Sequence, residues 1–240
     1  MTRRFDNAAR AYLTDGFWPT LEGVPSASPR TLVVHQVSAA TVRPVIAAHH
    51  YSRTMPDATR ESFAAYYGQV LAGVVTYGTG VGMAQFGAVL PGLRVGQCRE
   101  LTRLWSPDGM PRNTESRIIA DSLSMLVGVT LVLSYADPSR GHVGTIYQAT
   151  NWLYLGMTEG GSRLRDENGH EVHQRLLGIY RLRHPQRFAN MTNDEIRAAL
   201  GWTTIDNAPK HRYAMLLGNR HERTAARRRM AMAPQPYPKR

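Results

Sequence analysis

The 240-residue sequence has a single cysteine, Cys98. That excludes an internal disulfide and a zinc site built on cysteines. Cys98 opens a strand-like stretch, which suits a buried structural thiol better than a nucleophile. No apolar run is long enough to span a bilayer, so no membrane partner is expected. The first residues, Met1-Thr-Arg-Arg-Phe-Asp-Asn7, are polar and lack the apolar centre of a secretion signal, which points to a soluble intracellular protein. The sequence shows no internal repeat and no long low-complexity block. Acids are scarce: 18 Asp and Glu stand against 29 Lys and Arg, a net charge of +11. Such a balance calls for a polyanionic partner, whether nucleic acid, an anionic surface or an acidic protein.

What is present reads as a single α/β domain. The 42% hydrophobic content of a chain this long supplies one sizeable core. Residues 1–30, with Pro19, Gly23, Pro25 and Pro29, read as an irregular arm. Residues 31–37 are β-branched and strand-like, and Ser38 caps a helix over 39–49 in which Pro44 implies a later start or a kink. Two strands at 62–67 and 70–77 flank Gly68-Gln69, a tight hairpin. In the strand 98–105, Cys98, Glu100, Thr102 and Leu104 would face one way, and Arg99, Leu101, Arg103 and Trp105 the other. A Pro/Gly loop leads to a helix over 115–127, and an apolar strand follows at 130–136. A short helix from about Gly144, a strand at 152–157, a turn at Asn168-Gly169, a capping box at Thr192–Glu195 and a strand at 213–217 complete the domain.

This order gives a mixed central sheet flanked by helices over residues 31–217, followed by a basic tail, 218–240. A helical crossover joins parallel neighbours, so a ligand crevice belongs at the carboxyl ends of the strands beside the 115–127 helix. Asp137 stands at one such end. It reads either as a base or ligand or as an Asx cap before Pro138. Tyr147 and Tyr154 could stack on an extruded base or donate a proton, or be core tyrosines, the reading preferred for Tyr154. Arg99 and Arg103, two pleats apart, could grip an anion together. Lys210, Arg212, Arg220, Arg223, Arg227, Arg228 and Arg229 form a basic stretch suited to sequence-independent contact with double-stranded DNA.

Three blocks carry a family resemblance: "HHYSRTMP" at 49–56, "RELTRLW" at 99–105 and, the most specific, "YADPSRGHVGTIYQATNWLYLG" at 135–156. "KHRY" at 210–213 adds to them. Over roughly residues 31–217 the chain resembles the Mom family of phage DNA-modification proteins, and its element order resembles the GNAT acyltransferase fold. The resemblance implies transfer of a carbamoylmethyl-type group to the exocyclic amine of adenine in duplex phage DNA. That modification protects the genome from restriction in the host bacterium's cytoplasm. It implies catalytic roles for Asp137, Tyr147, Tyr51 and Ser122, and donor contacts from Arg99, Arg103, Tyr67 and Arg112. An iron ion on His50 and Asp137 is implied as well. The donor would be an acyl or glycyl compound, with acetyl-CoA and an aminoacyl-tRNA both compatible, and a homodimer is expected. Residues 106–116 depart from the GNAT pattern, for they lack the spaced glycines that cradle a coenzyme A diphosphate. The alternatives are an ordinary N-acetyltransferase of a small amine or protein, and a DNA-binding protein without catalysis.

Overall fold

A computed structural model describes residues 28–80, 82–172 and 174–239. Most of the arm expected over residues 1–30 lies outside them, as does Arg240. The elements run β1 (Val33–Val37), α1 (Ala39–His49), β2 (Thr59–Tyr67), β3 (Val70–Gly78), α2 (Gly82–Val89), β4 (Cys98–Trp105), α3 (Thr114–Ser124), β5 (Leu131–Ala136), α4 (Thr145–Ala149) and β6 (Leu153–Met157). There follow β7 (Gly161–Arg165), β8 (Glu171–Val172), α5 (Arg175–Arg183), α6 (Pro185–Phe188), α7 (Asn193–Ala199), β9 (Thr203–Asn207), β10 (His211–Leu216) and α8 (Arg220–Arg229). The mixed α/β class read from the sequence is the one found. Where one domain over 31–217 was expected, the chain forms two compact units. Among the described residues the larger holds those from Ser28 to Ala136, Val143–Gly156 and those from Arg212 onward, and the smaller holds those of Asp137–His142 and Met157–His211.

The larger unit is built on a seven-stranded sheet in the order β1-β2-β3-β4-β5-β10-β6. From β1 to β4 the neighbours are antiparallel, and β4 meets β5 in parallel after the α3 crossover. Ser38 caps α1 as its sequence suggests, its hydroxyl accepting from the Thr41 amide. Pro44 lies inside that helix, which nonetheless starts at Ala39. Helix α3 stops at Ser124, short of the expected 127, and Val127 is 92% exposed. Ile118, Ile119 and Leu123 do bury against Phe63, Val75 and Tyr77, each full burial contributing about 1.5–3 kcal/mol. Gly73 is required where β3 passes α3: a Cβ there would stand 2.6 Å from the Trp105 carbonyl oxygen and 2.7 Å from Ile118 Cδ1.

Two irregularities shape the middle of the sheet. Pairing of β3 with β4 steps from Thr76↔Arg103 to Tyr77↔Leu101, so Thr102 is an extra residue on β4. This bulge flips the alternation: Leu101 and Leu104 share one core cluster, and Arg99 and Arg103 point to opposite faces. The arginine pair read from simple alternation therefore does not form. The β4–β5 ladder, in turn, covers only Cys98↔Leu131, Arg99↔Val132 and Glu100↔Leu133. Beyond it a side chain takes over, Ser134 Oγ lying 3.2 Å from the Leu101 carbonyl oxygen. The sheet thus opens toward the carboxyl ends of these strands, where a crevice was expected.

The C-terminal residues, expected as a basic tail, form α8 and a strap. Asn219 and Glu222 cap α8 reciprocally, at 3.0 and 2.7 Å. The chain then returns along the sheet edge: the Ala231 amide donates to Val89 O, the Gln235 amide to Tyr154 O and the Tyr237 hydroxyl to Trp152 O. Pro234, Pro236 and Pro238 carry no N–H, so the strap covers edge strand β6 without offering a new edge.

The smaller unit has its own sheet, β8-β7-β9, and its own core of Leu164, Leu177, Phe188, Ile196 and Trp202. The expected capping box is present, with Thr192 and Glu195 bonding reciprocally at the start of α7. Among the described residues no helix is long and apolar enough to cross a membrane.

Candidate functional site

In the smaller unit, Asp137 follows directly on the last residue of β5. Its Oδ1 accepts from the Ser139 amide at 3.0 Å and the Ser139 hydroxyl at 2.6 Å, so it does cap the turn at Pro138. Oδ2 lies 3.3 Å from Lys210 Nζ, with only 17% and 23% of the two side chains exposed. Burial works to raise the Asp137 pKa, but the Ser139 hydroxyl and the Lys210 charge outweigh it and hold the group below the usual carboxylate range. Lys210, expected on DNA, pairs with Asp137 and helps to keep it ionised.

In the larger unit, Tyr147 of α4 belongs to a cluster of rings. Trp152 and Tyr213 each lie 5.1 Å from it, centroid to centroid, and Tyr154 lies 5.3 Å from Tyr213. Ser134 Oγ donates to the Tyr147 hydroxyl at 2.8 Å. Burial, opposed by that bond, pushes the phenol up to about 12, so it is a neutral acid at physiological pH. Tyr213 is the hub that the sequence reading missed. Its hydroxyl donates to Val143 O at 2.5 Å, and Gln148 Nε2 donates to that hydroxyl at 3.1 Å. The available signal was "KHRY": Lys210 reaches Asp137 and Tyr213 reaches Val143, both in the first half of the 135–156 block.

Gly144 makes the cluster possible. It has φ +78°, and a Cβ there would lie 2.3 Å from the Tyr213 ring. Gly144→Ala is expected to lose roughly 2–4 kcal/mol of stability by combined strain and overpacking, read as a lower urea midpoint at unchanged slope. A midpoint within error of the parent would show that the ring yields freely.

The other expected site residues are less available. Tyr51 is exposed and its ring lies 4.3 Å from that of His50. Ser122 is fully buried, bonded to Tyr77 Oη at 2.7 Å and donating to Ile119 O at 3.1 Å, which is a structural placement. Arg99 grips Glu61 with two nitrogens, at 2.6 and 2.7 Å, and donates from Nη1 to Gly96 O and Cys98 O. Its fork is therefore occupied. Arg103 donates to Thr54 O and Thr102 O, and Tyr67 bonds Thr114 Oγ1 at 2.9 Å, fixing the start of α3 to β2. Arg112 is exposed in the loop before α3. Cys98 is buried and its thiol is pushed up to about 11 by burial, as befits a structural residue.

An iron ion does not fit the donors. His50 Nδ1 receives the Ser52 amide at 3.1 Å, and both Asp137 oxygens are engaged. Among the described residues no three His, Cys, Asp or Glu side chains gather as a metal site needs.

Of the seven basic residues expected on DNA, four have intramolecular partners. Besides Lys210, Arg223 donates to Gly218 O, Arg229 to Pro91 O and Arg212 to Met232 Sδ. Arg220, Arg227 and Arg228 are exposed on α8; positions 220 and 227, seven residues apart, share a helix face.

With this geometry in place, comparison with known proteins is informative. The model of the Mom protein family matches residues 31–239. The methylcarbamoylase Mom of Escherichia phage Mu is 29% identical over 217 residues, which is 88% of this chain and 85% of that protein. Among solved structures, a GNAT family acetyltransferase from Elizabethkingia anophelis with acetyl-CoA bound aligns at 10% identity over 78% of this chain and 99% of its own, with a TM-score of 0.39. A Bacillus subtilis acetyltransferase in complex with CoA aligns at 11% identity over 78% and 98%, with a TM-score of 0.38.

Proposed function

The chain belongs to the Mom protein family, and from that membership we infer that it is a transferase that modifies the exocyclic amine of adenine in double-stranded phage DNA. The group is of the carbamoylmethyl type, and its role is to protect the genome from restriction in the cytoplasm of the host. The observation that carries the reading is the Asp137 carboxylate, held ionised by Lys210 and Ser139 at the end of a buried strand.

An exocyclic adenine amine is a poor nucleophile, because its lone pair is delocalised into the ring. Asp137 accepts a hydrogen bond from the amine N–H and orients the nitrogen toward the electrophilic carbon of the donor. Its low pKa makes it a weak base, so it takes the proton late, once the forming N–C bond has acidified the amine. Tyr147 receives a bond from Ser134 and keeps its own proton, which it can donate to the leaving group. Tyr51, exposed, offers a ring to an extruded base. Ser122 acts through packing, by holding Tyr77.

The donor is an acyl or glycyl compound. A coenzyme A diphosphate does not fit the start of α3 well, for the preceding loop offers only Gly109, and Glu115 places an acid in the first turn. Arg112 is the anion contact left there. DNA is held by the exposed arginines of α8, which act on phosphates without reading sequence.

Plasmid DNA from bacteria expressing the chain is expected to resist restriction enzymes whose sites contain adenine. Its nucleoside digest should contain a heavier deoxyadenosine, absent with Asp137→Ala, by mass spectrometry. Normal nucleosides only, from cells holding soluble protein and supplied with phage lysate as a source of donor, would overturn the reading; acetylation of a free amine by the same protein would replace it with the acetyltransferase.

A further inference from the structure

The short helices of the smaller unit enclose a cleft to which the reaction assigns no role. Helix α5 ends at Arg183, His184 joins it to α6, and a cavity of about 340 Å³ is lined by Tyr180, Arg183, His184, Arg187, Phe188 and Leu200, along with Pro185 and Gln186. The lining thus brings three aromatic rings and two guanidinium groups together and contains no carboxylate.

The rings are set by the unit's own core. Phe188 is buried in it, and Tyr180 meets Trp202 edge-on at 5.5 Å and Phe188 at 6.5 Å. His184 lies 6.0 Å from Tyr180 and 6.3 Å from Phe188. Arg187 stacks over the Phe188 ring at 4.8 Å and donates to Ala199 O, which holds its guanidinium at the cleft. Arg183 is exposed and makes no hydrogen bond or ion pair among the described residues. Two acids of the following helix are engaged elsewhere, Asp194 with Arg197 and Glu195 with Thr192.

We propose that this cleft binds one nucleotide of the DNA substrate beside the target adenine, its base against the rings and its phosphate on Arg183 and Arg187. Rings alone would take any apolar group, and guanidinium groups alone any anion; the two together fit a planar base that carries a phosphate. The volume lies at the lower end of small-molecule pockets, which suits one nucleotide and not a duplex. The smaller unit contains both this cleft and Asp137, so contact with a neighbouring nucleotide would favour adenines in particular surroundings. The position beside the target rests on the DNA-modification reading; the binding chemistry does not.

The full-length protein is titrated with deoxyadenosine 5′-monophosphate, deoxyadenosine, inorganic phosphate and a single-stranded trinucleotide with a central adenine, followed by tryptophan fluorescence and calorimetry. The monophosphate should bind more tightly than nucleoside or phosphate, and the trinucleotide more tightly still. Arg183→Gln should weaken both by about tenfold, the loss of one charge-assisted bond. In cells, Arg183→Gln should flatten the distribution of bases flanking modified adenines. Absence of saturable binding, or affinity indifferent to Arg183→Gln, overturns the cleft. A trinucleotide no tighter than the monophosphate overturns its assignment to a DNA strand. If binding behaves as expected but the parent protein modifies no adenine, the DNA-modification reading fails and the nucleotide cleft stands.

Discussion

Asp137→Asn is expected to abolish adenine modification while leaving DNA affinity within about threefold, because the change removes the acceptor charge and hardly alters shape. The Ser139 amide can still bond the Asn oxygen, so the turn at Pro138 persists. Quantifying modified deoxyadenosine by mass spectrometry, alongside DNA binding by the same preparation, separates the two effects. An active Asn variant would remove Asp137 from the mechanism. The ion pair with Lys210 adds a pH signature. In the proposed mechanism Asp137 works as the carboxylate, so activity is expected to be lost as pH falls through its folded pKa, which lies below the ordinary value. Lys210→Gln raises that pKa and moves the acid limb of the rate profile to higher pH. Stability follows the same sign: the contribution of a depressed carboxyl is present above the unfolded pKa and is lost as pH falls through the folded one. An acid limb unmoved by Lys210→Gln would mean that the limb belongs to another group.

The second large effect concerns DNA. Replacing Arg220, Arg227 and Arg228 together with Gln should weaken binding to all sequences alike, on the order of tenfold to a hundredfold at low salt. The slope of log affinity against log salt should become shallower by about 2–3, the share of three phosphate contacts. Arg223→Gln and Arg229→Gln serve as counterparts: their guanidinium groups bond Gly218 O and Pro91 O, so stability should fall and the slope should not change. A triple variant with the parent's slope would place α8 away from DNA. Deleting the whole segment from residue 220 would confuse the two effects, since the strap that follows α8 also bonds Tyr154 and Trp152.

Local chemistry was legible without coordinates. Ser38 and the Thr192–Glu195 box announce helix starts because a cap needs only its own next three residues. The Gly68-Gln69 hairpin and the apolar strand before Asp137 are equally local, and β4 was found over the very residues 98–105 that its composition suggested. The split between Arg99 and Arg103 was not legible, because the bulge at Thr102 arises from how β3 and β4 register, a relation between segments distant in sequence. The C-terminal stretch shows the same limit. Its composition gave charge, but only packing decides which arginines find carbonyl acceptors and which stay in solvent. A carboxylate at a strand end was likewise visible in the sequence as either a turn cap or a reactive group. The fold makes Asp137 a turn cap and an ion-pair partner at once, since its two oxygens bond different partners: one serves the adjacent turn, and the other meets a lysine more than seventy residues away, a contact that exists only once the chain has closed upon itself.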